Sequence, residues 1–271
     1  MARCLTILAD GLRPDAITPA GAPCLTHLTS IGASALRART VRPSVTVAAL
    51  TSLATGVSPR THGLTQPGLG FLSRVTTLRP LGRELRRHGV PVVVAAGPLS
   101  AGSRAVAWAL ASYAGVERLA CAERGAAGIV QIALAEWAAF QSGLLFVYLP
   151  DCDQAGHAHG WMSPPYLEAV AAVDDAVGRL VQTADDALLL VVADHGGGGV
   201  TPTDHDAPHP LNDRIPLIMT GPGVRRATLA GEVSLLDVPP TLLAWFDLPI
   251  PEGYEGRALT EAFALAEAPA A

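Results

Sequence analysis

Short, unbroken apolar runs recur along the chain, and each gives way abruptly to polar or glycine positions. Residues 3 to 9 run from Arg3 through Cys4-Leu5-Thr6-Ile7-Leu8-Ala9 and stop at Asp10-Gly11. Similar runs cover 90–96, 144–149, 187–193 and 215–220, and all are short enough for strands. Between them lie stretches with helical spacing or good helix formers, at 25–36, 47–55, 79–88, 122–140, 164–183 and 236–246. Gly56 and Pro59 stop the second of these, and Arg42-Pro43-Ser44 before it reads as a loop. The strand runs are continuous instead of alternating, so both faces of the sheet are expected to be covered. The pattern predicts an α/β protein, a three-layer α/β/α sandwich with a mostly parallel central sheet. With no internal repeat and no linker, residues 1–262 read as one domain, and the Ala/Glu/Pro-rich stretch 263–271 as a frayed tail.

Composition narrows the choices. The chain has 271 residues, 49 % hydrophobic and 16 % charged, which is enough apolar content for a large core and excludes disorder. A net charge of −5 argues against nucleic acid as a partner. All 19 basic residues are Arg, which with the abundant Ala reads as the mark of a GC-rich genome. The apolar run at 4–9 is too short for the core of a signal peptide, and no stretch approaches 18 uninterrupted apolar residues. The cysteines, Cys4, Cys24, Cys121 and Cys152, are scattered without a CxxC pair, as expected of free thiols in a cytoplasmic protein without a membrane partner.

The polar residues gather at strand ends. Asp10 closes the first run, Asp151 and Asp153 follow the one at 144–149, and Asp194-His195 follow the one at 187–193. In a parallel sheet these carboxyl ends face one rim, where ligands bind. Several acids at one rim repel unless cations lie between them, and neighbouring imidazoles favour zinc-like metals over magnesium. Asp153 and His157 are four residues apart, four glycines follow His195, and His205 and His209 lie in the polar loop beyond. Thr46 precedes a helix, where N–H groups and the helix dipole favour an anion; beside a metal its hydroxyl is a candidate nucleophile for a phosphoryl group. Each feature has a plainer reading alone: Asp10 as a turn former, Thr46 as an N-cap, Asp194-His195-Gly196 as a loop. Their joint placement at strand ends favours a site.

Taken in order, these motifs resemble the alkaline phosphatase superfamily, most closely its type I phosphodiesterase/nucleotide pyrophosphatase branch. The resemblance rests on Leu8-Ala9-Asp10-Gly11-Leu12-Arg13-Pro14-Asp15, on Pro43-Ser44-Val45-Thr46, and on Thr55-Gly56-Val57-Ser58-Pro59-Arg60-Thr61-His62-Gly63. It continues through Tyr148-Leu149-Pro150 to Asp153, Gly156-His157 to Gly160, and Ala193-Asp194-His195-Gly196-Gly197. Arg214-Ile215-Pro216-Leu217-Ile218, Gly221-Pro222-Gly223-Val224, Leu235-Leu236-Asp237-Val238 and Gly256-Arg257-Ala258-Leu259 complete it, so that it runs from about residue 3 to 260.

The resemblance implies an alkaline phosphatase-like fold and a hydrolase with two divalent metal ions, Zn or alternatively Mn or Fe. By motif position Asp10, Thr46, Asp194 and His195 would hold one ion. Asp153, His157 and a third histidine would hold the other. For that third position His205 is preferred on its spacing to Pro216, with His209 left open. Thr46 would attack phosphorus to give a phospho-threonine. His159 and Asp151 are candidates for orienting the ligands, Arg13, Arg60 and His209 for contacting substrate. His62, His27 and His88 are expected to be structural, and Asp174 and Asp175 to cap or pair locally.

Two departures from the branch stand out. Ala49 occupies the position, three after Thr46, where the branch usually carries an Asn donor. The chain is also short for the branch, so 65–142 is expected to form little more than a small cap or helical insertion. No Cys or Ser followed by x-Pro-x-Arg stands at the nucleophile position, which disfavours a sulfatase. The expected function is a phosphodiesterase or phosphomonoesterase acting on a small phosphorylated metabolite. The alternatives are a phosphomutase, a phosphonoacetate-type C–P hydrolase, and a relative that binds phosphate without turnover.

Overall fold

The computed structural model describes residues 2–66, 77–98, 101–122, 125–139 and 141–264. At its centre β1 (Arg3–Ala9) is flanked in parallel by β5 (Gly143–Leu149) and β6 (Leu188–Val192). Leu5 sits opposite Leu145 on one side and Leu189 on the other, so β1 is buried along nearly its whole length. Beyond β5 the sheet continues in parallel through β3 (Val92–Ala96) to β4 (Arg118–Cys121). Beyond β6 it turns antiparallel through β7 (Arg214–Thr220) and β2 (Ala33–Arg39), ending on the short β8 (Ala227–Thr228). The full order is β4-β3-β5-β1-β6-β7-β2-β8. The mostly parallel α/β sheet agrees with the pattern of continuous apolar runs.

Helices α1 (Pro23–Ile31), α6 (Ala126–Ala139) and α8 (Pro164–Val181) pack together in one layer. Helices α2 (Thr46–Thr55), α4 (Leu81–Arg87), α5 (Ala101–Ala114) and α10 (Val238–Trp245) form another. Three further helices, α3 (Pro59–His62), α7 (Asp151–His159) and α9 (Pro210–Asp213), lie in the connections.

Several sequence expectations are corrected. The helix expected over 25–36 stops at Ile31, because Gly32 passes so close to β7 that a Cβ there would sit 2.1 Å from the Met219 carbonyl oxygen. The following Ala-, Leu- and Arg-containing segment then pairs as β2, tertiary context overriding its helical composition. Helix α1 carries Pro23 at its first position and no local cap; instead Asp174, buried on α8, accepts from Cys24 N–H (3.0 Å) and Leu25 N–H (2.7 Å). Asp174 therefore caps a distant helix and not its own neighbourhood. The described part of 65–142 builds α4, β3, α5, β4 and α6, extending the sheet instead of forming a cap; residues 67–76, 99–100, 123–124 and 140 lie outside the described residues. Phe263 pairs with Val224 and packs on Trp245, so the chain is held at least that far; 265–271 of the expected tail lie outside the described residues. None of the four cysteines is in a disulfide, and no described helix is long and apolar enough to cross a membrane.

Candidate metal centre and nucleophile

Strands β1, β5 and β6 deliver their carboxyl ends to one rim. Asp10 leaves β1, and its carbonyl accepts from Asp153 N–H (3.0 Å) at the first turn of α7. Gly11, at φ +70°, permits this approach, since a Cβ there would lie 2.8 Å from the Asp153 Cα. Along α7 the i, i+4 spacing brings His157 Nε2 within 3.4 Å of Asp153 Oδ1. Asp194 follows β6 and is pinned by Gly11 N–H (3.1 Å) and His195 N–H (3.0 Å), both donating to its Oδ1. The Thr40 hydroxyl donates to the Asp194 carbonyl, and Tyr148 O–H donates to Asp10 Oδ2.

The three histidines share one arrangement. His195 Nδ1 faces the Gly196 carbonyl (2.8 Å), His157 Nδ1 the Thr203 carbonyl (2.9 Å), and His205 Nδ1 the Ser44 carbonyl (2.6 Å). A carbonyl accepts only, so each Nδ1 donates its N–H there, and a neutral ring so held presents its Nε2 lone pair inward, as a metal ligand must. Those lone pairs converge on carboxylate oxygens. His195 Nε2 lies 3.3 Å from Asp10 Oδ1, 3.5 Å from Asp194 Oδ2 and 4.0 Å from Asp153 Oδ1. His205 Nε2 is 3.5 Å from Asp153 Oδ1 and 3.1 Å from His157 Nε2. The rings of His195 and His205 stack at 3.8 Å. With the rings neutral, acceptor faces acceptor at these carboxylate contacts, and the buried oxygens Asp10 Oδ1, Asp153 Oδ1 and Asp194 Oδ2 have no hydrogen-bond partner.

Leaving such groups unsatisfied costs stability unless a cation completes them. The ligand atoms fall into two overlapping sets, Asp10, Asp194 and His195, and Asp153, His195 and His205, each within 4.8 Å. His157 adjoins the second set. A borderline divalent cation fits this mix of imidazole nitrogen and carboxylate oxygen. The electrostatics agree. Burial, and then the Asp194 charge, push the Asp10 carboxyl well above its ordinary value, and burial lifts Asp194 to about 7. Burial, then the neighbouring His195, hold His205 below its ordinary value.

Thr46 is the first residue of α2, and its hydroxyl lies 3.1 Å from His195 Nε2. It is not the N-cap. Val45 takes that place without a side-chain bond, and its carbonyl accepts from Ala48 and Ala49 N–H. The plainer reading of Thr46 therefore fails, and its oxygen turns toward the ligand cluster.

Trp161 braces the cluster. Its ring lies 5.2 Å from that of His157 and 5.6 Å from that of His205, and its Nε1–H donates to the Gly11 carbonyl (2.9 Å). A Cβ on Gly197 would fall 2.1 Å from its ring, while Gly196 and Gly199 are held to glycine by the Leu211 carbonyl and the His209 ring. Sequence reasoning passed over Trp161; the neighbouring glycines were the available signal.

Other candidates lie elsewhere. His209 caps α9, its Nδ1 accepting from Leu211 N–H (3.2 Å), while His205 enters the cluster. The Arg13 guanidinium is buried against Asp15 and the Gly197 carbonyl, so it is tied down by the protein. Arg60 is exposed on α3. Asp151 Oδ1 accepts from Ala126 N–H at the start of α6 (3.4 Å), and His159 is exposed; backbone carbonyls orient the histidines in their stead. His62 is buried against Ser52, a structural role. Ala49 is fully buried in the core.

An α/β sheet with a threonine and a dense ligand cluster at its rim is the architecture of the alkaline phosphatase superfamily. The family model for type I phosphodiesterase/nucleotide pyrophosphatase matches residues 4–71 and 105–235, and the chain belongs to that family. Among solved structures, the phosphonate monoester hydrolase from Silicibacter pomeroyi superposes with a TM-score of 0.74 at 18 % identity, covering 98 % of this chain and 78 % of that one. Murine ectonucleotide pyrophosphatase/phosphodiesterase 5, an inactive form in complex with AMP, gives 0.74 at 14 % identity, covering 97 % of this chain and 100 % of that one. At these identities the likeness is one of fold. The 2,3-bisphosphoglycerate-independent phosphoglycerate mutase of Cellvibrio japonicus is 35 % identical over 112 residues, which are 40 % of this chain and 21 % of the mutase. That of Chromohalobacter salexigens is 37 % identical over the same shares. The match thus spans about a fifth of the length of these curated relatives.

Proposed function

We propose that this chain is a divalent-cation-dependent phosphoesterase of small phosphorylated metabolites in which Thr46 is the nucleophile. The observation that carries the reading is the Thr46 hydroxyl at the head of α2, 3.1 Å from His195 Nε2 and beside three buried carboxylate oxygens that lack partners. Asp10, Thr46, Asp194 and His195 would hold one cation, and Asp153, His157 and His205 the other, with Zn, Mn or Fe suiting the donors. Such cations supply positive charge that favours an ionised threonine oxygen and offsets charge on the phosphoryl oxygens. The chain does the rest. The Thr46 and Val47 N–H groups precede the first intrahelical bonds of α2 and point at an incoming anion. The Oγ1–P bond forms as the P–O bond to the alcohol breaks and the alcohol takes up a proton. Water then cleaves the phospho-threonine, releasing phosphate or a phosphomonoester and regenerating the hydroxyl. We place the reaction in the cytoplasm.

A second reading, a phosphomutase, draws on the likeness to the two phosphoglycerate mutases. There the phospho-threonine would return its phosphoryl group to the sugar-acid skeleton instead of to water. The test is turnover of bis-p-nitrophenyl phosphate and p-nitrophenyl phosphate by metal-loaded protein, with phosphoglycerate isomerisation followed in parallel. Thr46→Ala should retain its cations and lose turnover. Unchanged hydrolysis by that variant overturns the assignment, and isomerisation without ester hydrolysis selects the mutase.

A further inference from the structure

A cavity of about 780 Å³ opens beside Thr46, in the range of small-molecule sites. Thr46, His157 and His205 border it, so it is continuous with the candidate reaction centre. From there it runs between the sheet and the layer of α2, α4, α5 and α10. Its walls are almost wholly apolar, with Leu50 and Leu53 from α2, Val94 from β3, Phe146 from β5, Leu110 from α5 and Leu242 from α10. The charged groups and histidines lie at the reaction-centre end, where Asp204 and Asp206 join His157 and His205; elsewhere the polar lining is the hydroxyls of Thr6, Thr51, Thr55 and Tyr113, of which Thr51 and Thr55 donate to carbonyls of their own helix. No arginine borders the cavity among the described residues.

These features select among substrates. A second phosphate or a carboxylate on the alcohol part would meet no compensating cation in the cavity and would be desolvated at a cost. A ribose or sugar would bury several hydroxyls against a lining in which four hydroxyl side chains are scattered among aliphatic ones, too few to pair them all. A hydrocarbon chain loses nothing there and gains from leaving water. We propose that the cavity receives the alcohol part of the substrate and that this part is a long, uncharged alkyl or isoprenyl group. The inference rests on the phosphoesterase reading for the position of the phosphoryl group, but the cavity's preference is measurable without turnover.

The experiment is calorimetric titration of zinc-loaded protein with methyl-, butyl-, octyl- and decylphosphonate, and with AMP for comparison. Affinity is expected to rise at least a hundredfold from methyl to decyl, with an increasingly negative heat-capacity change. Leu110 is 41 % exposed at the rim, so Leu110→Glu should fold and flatten the series. Ile250→Glu, at an exposed position that does not border the cavity, should leave the series intact. Equal affinity along the series, or AMP bound more tightly than decylphosphonate, overturns the proposal even if phosphoesters are hydrolysed. A steep series with no hydrolysis of any ester upholds the cavity and sinks the phosphoesterase reading instead.

Discussion

Asp194→Asn should change how the stability of the cation-free protein depends on pH. Asp194 is fully buried, and burial lifts its carboxyl from 3.8 to about 7. The folded state thus holds this proton more tightly than the unfolded chain does. Below pH 3.8 both states are protonated and nothing is lost. As pH rises from there to about 7 the unfolded chain ionises first and the fold loses stability, and above 7 the loss is complete. A shift of about 3 units at 1.36 kcal/mol each gives a loss of about 4 kcal/mol, of which about 2 kcal/mol falls between pH 5.5 and 8. His205 pulls the other way: its lowered pKa makes the fold gain stability as pH rises toward about 6.5. Subtracting the variant from the wild type at each pH removes the part of the His205 contribution that is independent of Asp194; what remains is the Asp194 titration together with its coupling to Asp10, whose carboxyl the Asp194 charge helps to raise, and both make the wild type lose stability as pH rises. Urea denaturation followed by circular dichroism, in chelator, from pH 5.5 to 8, measures the difference. The variant should become more stable relative to wild type by about 2 kcal/mol across the range. Added zinc should stabilise the wild type at pH 8 by about 2.7 kcal/mol at a hundred times its Kd, and the variant by much less. A wild-type-minus-variant difference that stays flat with pH, or equal stabilisation of both proteins by zinc, refutes the reasoning.

Two further substitutions probe the architecture around that carboxylate. His205→Asn should cost one bound cation per chain and lower ester turnover roughly a hundredfold, whereas His209→Ala, removing only the cap of α9, should cost about 1 kcal/mol of stability and leave the cation content unchanged. Cation titration of both variants checks this. Trp161→Phe removes the hydrogen bond to the Gly11 carbonyl and loosens the packing against His157 and His205, so cation affinity should fall about 10- to 100-fold with the fold retained; unchanged affinity would show that the indole is packing alone.

Much of this site was legible because strand ends are legible. The apolar runs of β1, β5 and β6 stop where the chain leaves the sheet, so Asp10, Asp153 and Asp194 could be placed on one rim before any contact was known. The family resemblance implies His205 over His209 through the spacing to Pro216, and in the fold the His205 ring lies in the cluster while His209 caps α9. Long-range pairing was not legible. Residues 33–36 carry helix formers, and it is the pairing with β7 and β8 that makes them a strand. No clear periodicity marks helix α5 or strand β4 in the sequence, and α7 shows there only as the four-residue spacing of Asp153 and His157. Hardest of all were the orienting groups. His157, His195 and His205 are held by the carbonyls of Thr203, Gly196 and Ser44, and every residue has a carbonyl, so no side-chain pattern marks them. The apolar cavity was equally hidden, because its walls come from helices and strands far apart in the chain.

The most direct test is metal stoichiometry. Protein purified without chelator, dialysed against zinc and then against metal-free buffer, should carry two zinc ions per chain by plasma mass spectrometry, and Asp153→Asn should carry one. Metal-free wild-type protein under those conditions, or an Asp153→Asn variant that binds as much zinc as wild type, would contradict the account.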